Sequence, residues 1–193
     1  MSHAITVYCS STSDVDPTYL DAAEALGRAI ASAGWSLVYG GNHVGSMGRV
    51  ADGCRAGGGA VVGITPRLFA DVEEFGGDLV DRACDELLLV DSMRERKRLL
   101  EERGDAFVTL PGGLGTMEEF FEVLVGRVLK QHAKPIVLLN VNGFYDPMQA
   151  MLDHAIDAGF VRRRAWDHVT LAATVEEAIA TLGDQLAAPA GPA

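Results

Sequence analysis

The residues best placed by type and spacing to do chemistry lie in LPGGLGTMEEFFE, residues 110–122. There Gly112, Gly113 and Gly115 lead into Thr116 and the acids Glu118, Glu119 and Glu122. Glycines let backbone N–H groups approach a ligand, and a loop that enters a helix presents those amides and the helix dipole to a phosphate. A strand-to-helix turn needs one glycine, and this one has three. An anion-binding role is therefore expected for Gly112, Gly113, Gly115 and the Thr116 hydroxyl, which is also expected to cap a helix beginning near Met117. Carboxylates repel phosphate, so the glutamates either complement the helix dipole or act on an uncharged part of the same ligand.

A second candidate is DSMRERKRLLEERG, which concentrates Arg94, Arg96, Lys97 and Arg98 in a chain with 16 Lys and Arg in all. Arg96 shares a helical face with Met93, Leu99 and Leu100, and a charge directed at a core needs a partner. Arg94 and Arg98 read as surface groups. Two further loops supply candidate ligand contacts: CSSTS, with Ser10, and GGNHVGSMG, where Gly40, Gly41, Gly45 and Gly48 allow a tight turn into a helix near Ser46. The glycine spacing fits neither a P-loop, which needs a following Lys, nor the G-x-G-x-x-G dinucleotide fingerprint, where Glu118 would occupy the last glycine position. The loop is suited to a single phosphate.

The elements that must position these loops are short apolar runs: ITVYCS from 5, SLVYGG from 36, AVVGIT from 60, LLLV from 87, AFVTL from 106, IVLLNV from 136 and HVTLA from 168. Most are continuous rather than alternating, as in strands buried on both faces. Helices are expected from Asp16 and Pro17 to Gly34, and over 46–57, 93–103, 117–131, 146–158 and 175–186. In the helix after the glycine loop, Met117, Phe120, Phe121, Leu124 and Val128 are expected to face the core, with Glu118, Glu119 and Glu122 off that stripe. The alternation predicts an α/β fold: a Rossmann-like, doubly wound, mainly parallel sheet with helices on both faces. Such sheets bind ligands at the carboxyl ends of their strands, where all these loops lie.

The length of 193 residues fits one domain over 1–186 with a disordered tail over 187–193. A net charge of -11 argues against non-specific nucleic-acid binding. No run approaches the roughly 20 apolar residues of a membrane span. Cys9, Cys54 and Cys84 form no C-x-x-C pair, which points to a reduced, cytoplasmic setting and to neither a disulfide framework nor a zinc cluster.

Taken together, VYCSS, GGNHVGSMG, MRERK, PGGLGTMEE and KPIVLLNVNGFYDPM make the chain resemble the LONELY GUY (LOG) family of cytokinin riboside 5′-monophosphate phosphoribohydrolases over nearly its whole length. The wider family has carried a lysine decarboxylase label, which the residues do not support: no pyridoxal phosphate site is identifiable and the chain has three lysines. The resemblance implies a Rossmann-like homodimer, the partner helping to complete each site, that cleaves the N-glycosidic bond of a nucleoside 5′-monophosphate without a metal or redox cofactor. It implies catalysis by Arg96 and Glu119, phosphate binding by Gly112, Gly113, Gly115 and Thr116, and substrate contacts from Lys97 and Glu118. The chain departs from the family pattern at Asn42, Ser46, the PRLF stretch and Val125, which bears on base or ribose preference. Carriers of molybdenum cofactor share a related glycine loop, so a binding protein without turnover is the competing expectation.

Overall fold

The computed structural model describes residues 2–70 and 79–188. The apolar runs form β1 (Ala4–Tyr8), β2 (Ser36–Tyr39), β3 (Val61–Pro66), β4 (Glu86–Val90), β5 (Ala106–Thr109), β6 (Ile136–Leu139) and β7 (Val169–Ala172). They pair in the order β4-β3-β2-β1-β5-β6-β7, every strand parallel to its neighbours. The sheet is therefore wholly parallel; among the described residues, the antiparallel bridge Asn42–Val80 lies outside the named strands. The chain walks outward from β1 to β4, then returns to lay β5 against the other edge of β1. That reversal is the topological switch point, and the loops carrying Ser10 and the glycine cluster flank it.

The helices are α1 (Pro17–Ser32), α2 (Gly45–Ala56), α3 (Met93–Arg103), α4 (Leu114–Val128), α5 (Asp146–Asp157), the short α6 (Arg163–Trp166) and α7 (Val175–Ala187). On one face of the sheet, Leu26 and Ile30 of α1, Val50 and Cys54 of α2, and Ala178 and Leu182 of α7 cover Ile5, Leu37, Val108 and Val137. On the other, Leu100 of α3 and Phe120, Val123 and Leu124 of α4 pack with Tyr8, Val38, Phe107 and Leu138. Both faces are covered, which explains the continuous apolar runs.

Local chemistry fixes the helix starts. Asp16 accepts from Thr18 N at 2.9 Å, with Pro17 at the first helical position of α1. Ser92 and Thr174 cap α3 and α7 by accepting from Glu95 N and Glu177 N, each at 3.2 Å.

Two expectations need correction. The helix expected near Met117 begins at Leu114, with Gly113 as its N-cap, so Thr116 lies inside the first turn and does not cap it. It ends at Val128 because the chain reverses at Lys130, whose φ is 61°. The buried face of the helix also differs from the expected stripe. Thr116, Glu119, Phe120, Val123, Leu124 and Gly126 are the buried positions, whereas Val128 is 44% exposed. Glu119 thus lies on the inward face, not off it, while Glu118 and Glu122 are exposed. The last helix runs to Ala187, one residue past the expected boundary at 186, and the rest of the expected tail, 189–193, lies outside the described residues. Among the described residues no helix is long and apolar enough to cross a membrane, and Cys9, Cys54 and Cys84 are free thiols.

Candidate active site

The two helices on the α3–α4 face each turn one ionisable side chain inward over the strand ends. Arg96 and Glu119 are each 6% exposed. Arg96 Nη1 donates to Glu119 Oε1 at 3.4 Å, a long contact for a charge-assisted pair. The guanidinium is held more closely by main chain: Nε donates to Ile64 O at 3.0 Å and Nη2 to Gly40 O at 3.1 Å. The carbonyls of β3 and of the residue following β2 therefore fix the cation, and α4 brings the carboxyl to it.

Burial pushes the Glu119 carboxyl up to about 7, with Arg96 opposing that shift, Glu118 adding to it, Lys97 opposing it and Glu122 adding to it. A carboxyl poised there exchanges a proton readily near neutrality. Cys9, buried at the end of β1, remains a thiol: burial raises its pKa most, Glu119 raises it further, and Arg96 opposes both.

The glycine loop sits at the head of the same helix. The amides of Leu114, Gly115 and Thr116 belong to the first turn and have no intrahelical acceptor, and no side chain caps them. A Cβ on Gly113 or Gly115 would meet nothing within 4 Å, so both face open space, whereas on Gly112 it would lie 2.3 Å from Thr116 Oγ1. Thr116 thus packs back against Gly112 and braces the turn. This first turn can hold an anion through its free amides and the dipole.

Lys97 is placed differently from Arg96. Its ammonium bonds Glu118 and Glu122, tying α3 to α4 beside the inner pair, and these contacts raise its pKa, Glu118 foremost. Ser10 turns the loop after β1: its Oγ accepts from Thr12 N at 3.0 Å and its carbonyl from Met47 N at 3.1 Å. Gly41 and Gly45 have φ of 70° and 60°, the left-handed region that favours glycine. Gly45 N donates to Ser13 Oγ at 3.2 Å, and a Cβ there would lie 2.5 Å from Ser11 C, so the loops after β1 and β2 form one wall. The departure at Asn42 has a local use, since its Oδ1 accepts from Val44 N at 2.9 Å and so closes the turn into α2. Arg67 of the PRLF stretch pairs with Asp91 at 3.1 Å in solvent.

Sequence reading missed the carbonyl anchors. Gly40 stood inside a glycine-rich loop without a distinguishing mark, and the Ile64 side chain is simply core, its carbonyl doing the holding. Also unforeseen was a buried network on the opposite face. Asp81 Oδ2 accepts from Tyr39 Oη at 2.5 Å and from Arg55 Nη1 at 2.9 Å, and its Oδ1 accepts from Ala83 N at 3.0 Å. Asp81 N also donates to Gly41 O at 2.9 Å, which ties this network to the wall of the site.

A fixed cation, a buried carboxyl of adjustable charge and an anion-binding helix start can together hold a phosphorylated molecule while stabilising a developing positive charge nearby. Known proteins are similar to this one over most of the chain. A family model described as possible lysine decarboxylase matches residues 47–182. The cytokinin riboside 5′-monophosphate phosphoribohydrolase of Mycobacterium tuberculosis is 39% identical over 178 residues, covering 91% of this chain and 90% of that protein. The protein of that name from Rhodococcoides fascians is 41% identical over 179 residues, with 93% and 88% covered. Among solved structures, the molybdenum cofactor carrier protein of Chlamydomonas reinhardtii superposes with a TM-score of 0.72 at 26% identity, covering 97% of this chain and 100% of that one. The molybdenum cofactor binding protein of Rippkaea orientalis, at a TM-score of 0.73, 24% identity and 96% and 98% coverage, shares the fold. By the family model and by these relatives, the chain belongs to the LOG family, whose model bears the lysine decarboxylase description.

Proposed function

We propose that this protein hydrolyses the N-glycosidic bond of a nucleoside 5′-monophosphate, either a cytokinin riboside 5′-monophosphate or AMP, releasing the purine base and ribose 5-phosphate. The observation that carries this reading is the buried Arg96–Glu119 pair at 3.4 Å, beside the uncapped start of α4. The turn of Gly112, Gly113 and Gly115, with the free first-turn amides of Leu114, Gly115 and Thr116, takes the phosphate. The ribose then lies towards Glu119. As the bond from the anomeric carbon to the base nitrogen breaks, the base keeps the bonding electrons and takes up a proton from solvent, while the sugar acquires oxocarbenium character. The Glu119 carboxylate stabilises that cation and accepts a proton from the water that adds to the anomeric carbon. Arg96 holds substrate oxygens and steadies developing negative charge, since a guanidinium is too weak an acid to serve as proton donor. The step needs neither a metal nor a redox cofactor.

In this reading residues 1–186 act as one nucleotide-binding domain, and Ser10, Gly41, Gly45, Lys97 and Glu118 border the substrate. The protein works as a homodimer. Leu114, Val125, Val128 and Leu129 are 86%, 52%, 44% and 62% exposed and share one side of α4, an apolar stripe suited to a second copy. Free thiols at Cys9, Cys54 and Cys84 accord with a reducing cytoplasm. The acidic net charge of -11 disfavours nucleic acid as partner.

The competing reading is a carrier of a phosphorylated ligand such as molybdenum cofactor, which the likeness to the Chlamydomonas structure favours. A carrier needs the anion-binding turn but has no use for a buried carboxyl against a fixed guanidinium. Chromatography for free base after incubation with AMP or isopentenyladenosine monophosphate separates the two when read beside thermal shift. Turnover supports the hydrolase, and stabilisation by nucleotide without base release supports the carrier.

A further inference from the structure

Arg96 is anchored chiefly by two main-chain carbonyls, one of them on a residue with unusual steric requirements. A Cβ built on Gly40 would lie 2.0 Å from Arg96 Nη2, far inside contact, and 3.0 Å from Met47 Cε. The methionine tip can give way. The guanidinium cannot do so without leaving Gly40 O, Ile64 O or Glu119, because all its nitrogens are engaged there. Backbone conformation does not explain the glycine: Gly41 has positive φ, whereas Gly40 is not among the positive-φ glycines. What the position requires is the absence of a side chain beside Arg96.

We propose that Gly40 is a positioning residue for the reaction: by carrying no Cβ and by accepting from Nη2, it seats the Arg96 guanidinium flat against the ends of β2 and β3, in register with Glu119. Gly40 and Ile64 take one face of the donor set and Glu119 one hydrogen of Nη1. Among the described residues the second hydrogens of Nη1 and Nη2 have no acceptor, and they point to substrate oxygens. The seat fixes the direction in which those hydrogens point, which is the geometric condition for transition-state stabilisation. The kinetic consequence rests on the proposed hydrolase reading; the steric seat itself does not.

The test is a double-mutant cycle of Gly40→Ala and Arg96→Ala, read by thermal unfolding and, in Gly40→Ala, by base-release kinetics across pH. In the parental background Gly40→Ala lowers the melting temperature. In the Arg96→Ala background that loss disappears, because the atom it strikes is gone. Losses that simply add, or a double variant that fails to fold, overturn the seat. In kinetics, Gly40→Ala lowers kcat on the order of 10²-fold with little change in KM. Its acid limb moves to higher pH, since a displaced guanidinium no longer favours the Glu119 carboxylate. A general packing defect would leave that limb in place, and parental kcat with an unmoved limb overturns the positioning role. If the parent releases no base from any nucleotide, the hydrolase reading fails while the unfolding cycle still decides the seat.

Discussion

Replacing Glu119 with glutamine changes the pH dependence of stability by an amount that follows from its burial. The carboxyl is raised from 4.5 to about 7 in the folded protein, because burial penalises its charged form more than Arg96 favours it. A carboxyl raised in this way makes its full contribution to stability below its unfolded pKa and loses it progressively as pH rises through the folded value, because the native state holds the proton that the unfolded chain releases. At about 1.4 kcal/mol per unit, the loss between roughly pH 5 and pH 8 comes to about 2.5 kcal/mol. Glutamine is nearly isosteric and does not ionise. The Glu119→Gln variant should therefore gain about 2.5 kcal/mol relative to the parent between those two pH values, on the order of 5–10 °C in melting temperature for a chain of this size. Urea titrations of both proteins at the two pH values measure this without any substrate. A relative gain below about 0.5 kcal/mol, or one of opposite sign, would refute the claim that Glu119 is held as a raised, buried acid.

Three other outcomes are expected. Asp81→Asn should destabilise the fold by about 3 kcal/mol in chemical denaturation, because it takes the charge from a buried carboxylate that Tyr39, Arg55 and Ala83 all bond. Gly115→Ala should leave stability unchanged or raised by up to ~1 kcal/mol, since its Cβ meets nothing within 4 Å, yet weaken thermal-shift protection by AMP several-fold. Val125→Asp should convert a dimer to monomer in sedimentation velocity by putting a charge into the exposed stripe of α4; an unaltered dimer would move the interface elsewhere.

Much of the architecture was legible because the parallel sheet is covered on both faces, so most strands announced themselves as continuous apolar runs bounded by turn residues. Arg96 was legible for a similar reason, its spacing from Met93, Leu99 and Leu100 placing a charge on an apolar face. Glu119 was legible only through the family motif. Its burial comes from the way α4 packs beside α3, where the carboxyl meets Arg96, a tertiary contact that spacing within one helix does not reveal. Thr116 misled because a threonine before a helical pattern reads as a cap, whereas Gly113 holds the N-cap position without any side-chain bond and the threonine packs against Gly112. Main-chain anchors such as Gly40 O and Ile64 O leave no trace in side-chain pattern. The Tyr39–Asp81–Arg55 network joins residues scattered along the chain, which only the fold brings together.

The central claim is that a nucleotide held at the head of α4 is cut by the Arg96–Glu119 pair. The most direct measurement follows base and ribose 5-phosphate together in single turnovers of parent, Glu119→Gln and Arg96→Ala, each first shown by thermal shift to bind the nucleotide. The parent should release equal amounts of both products, and each variant should retain binding with turnover reduced on the order of 10²–10⁴-fold. Base release by the Glu119→Gln protein at the parental rate, or binding by the parent without either product, would contradict it.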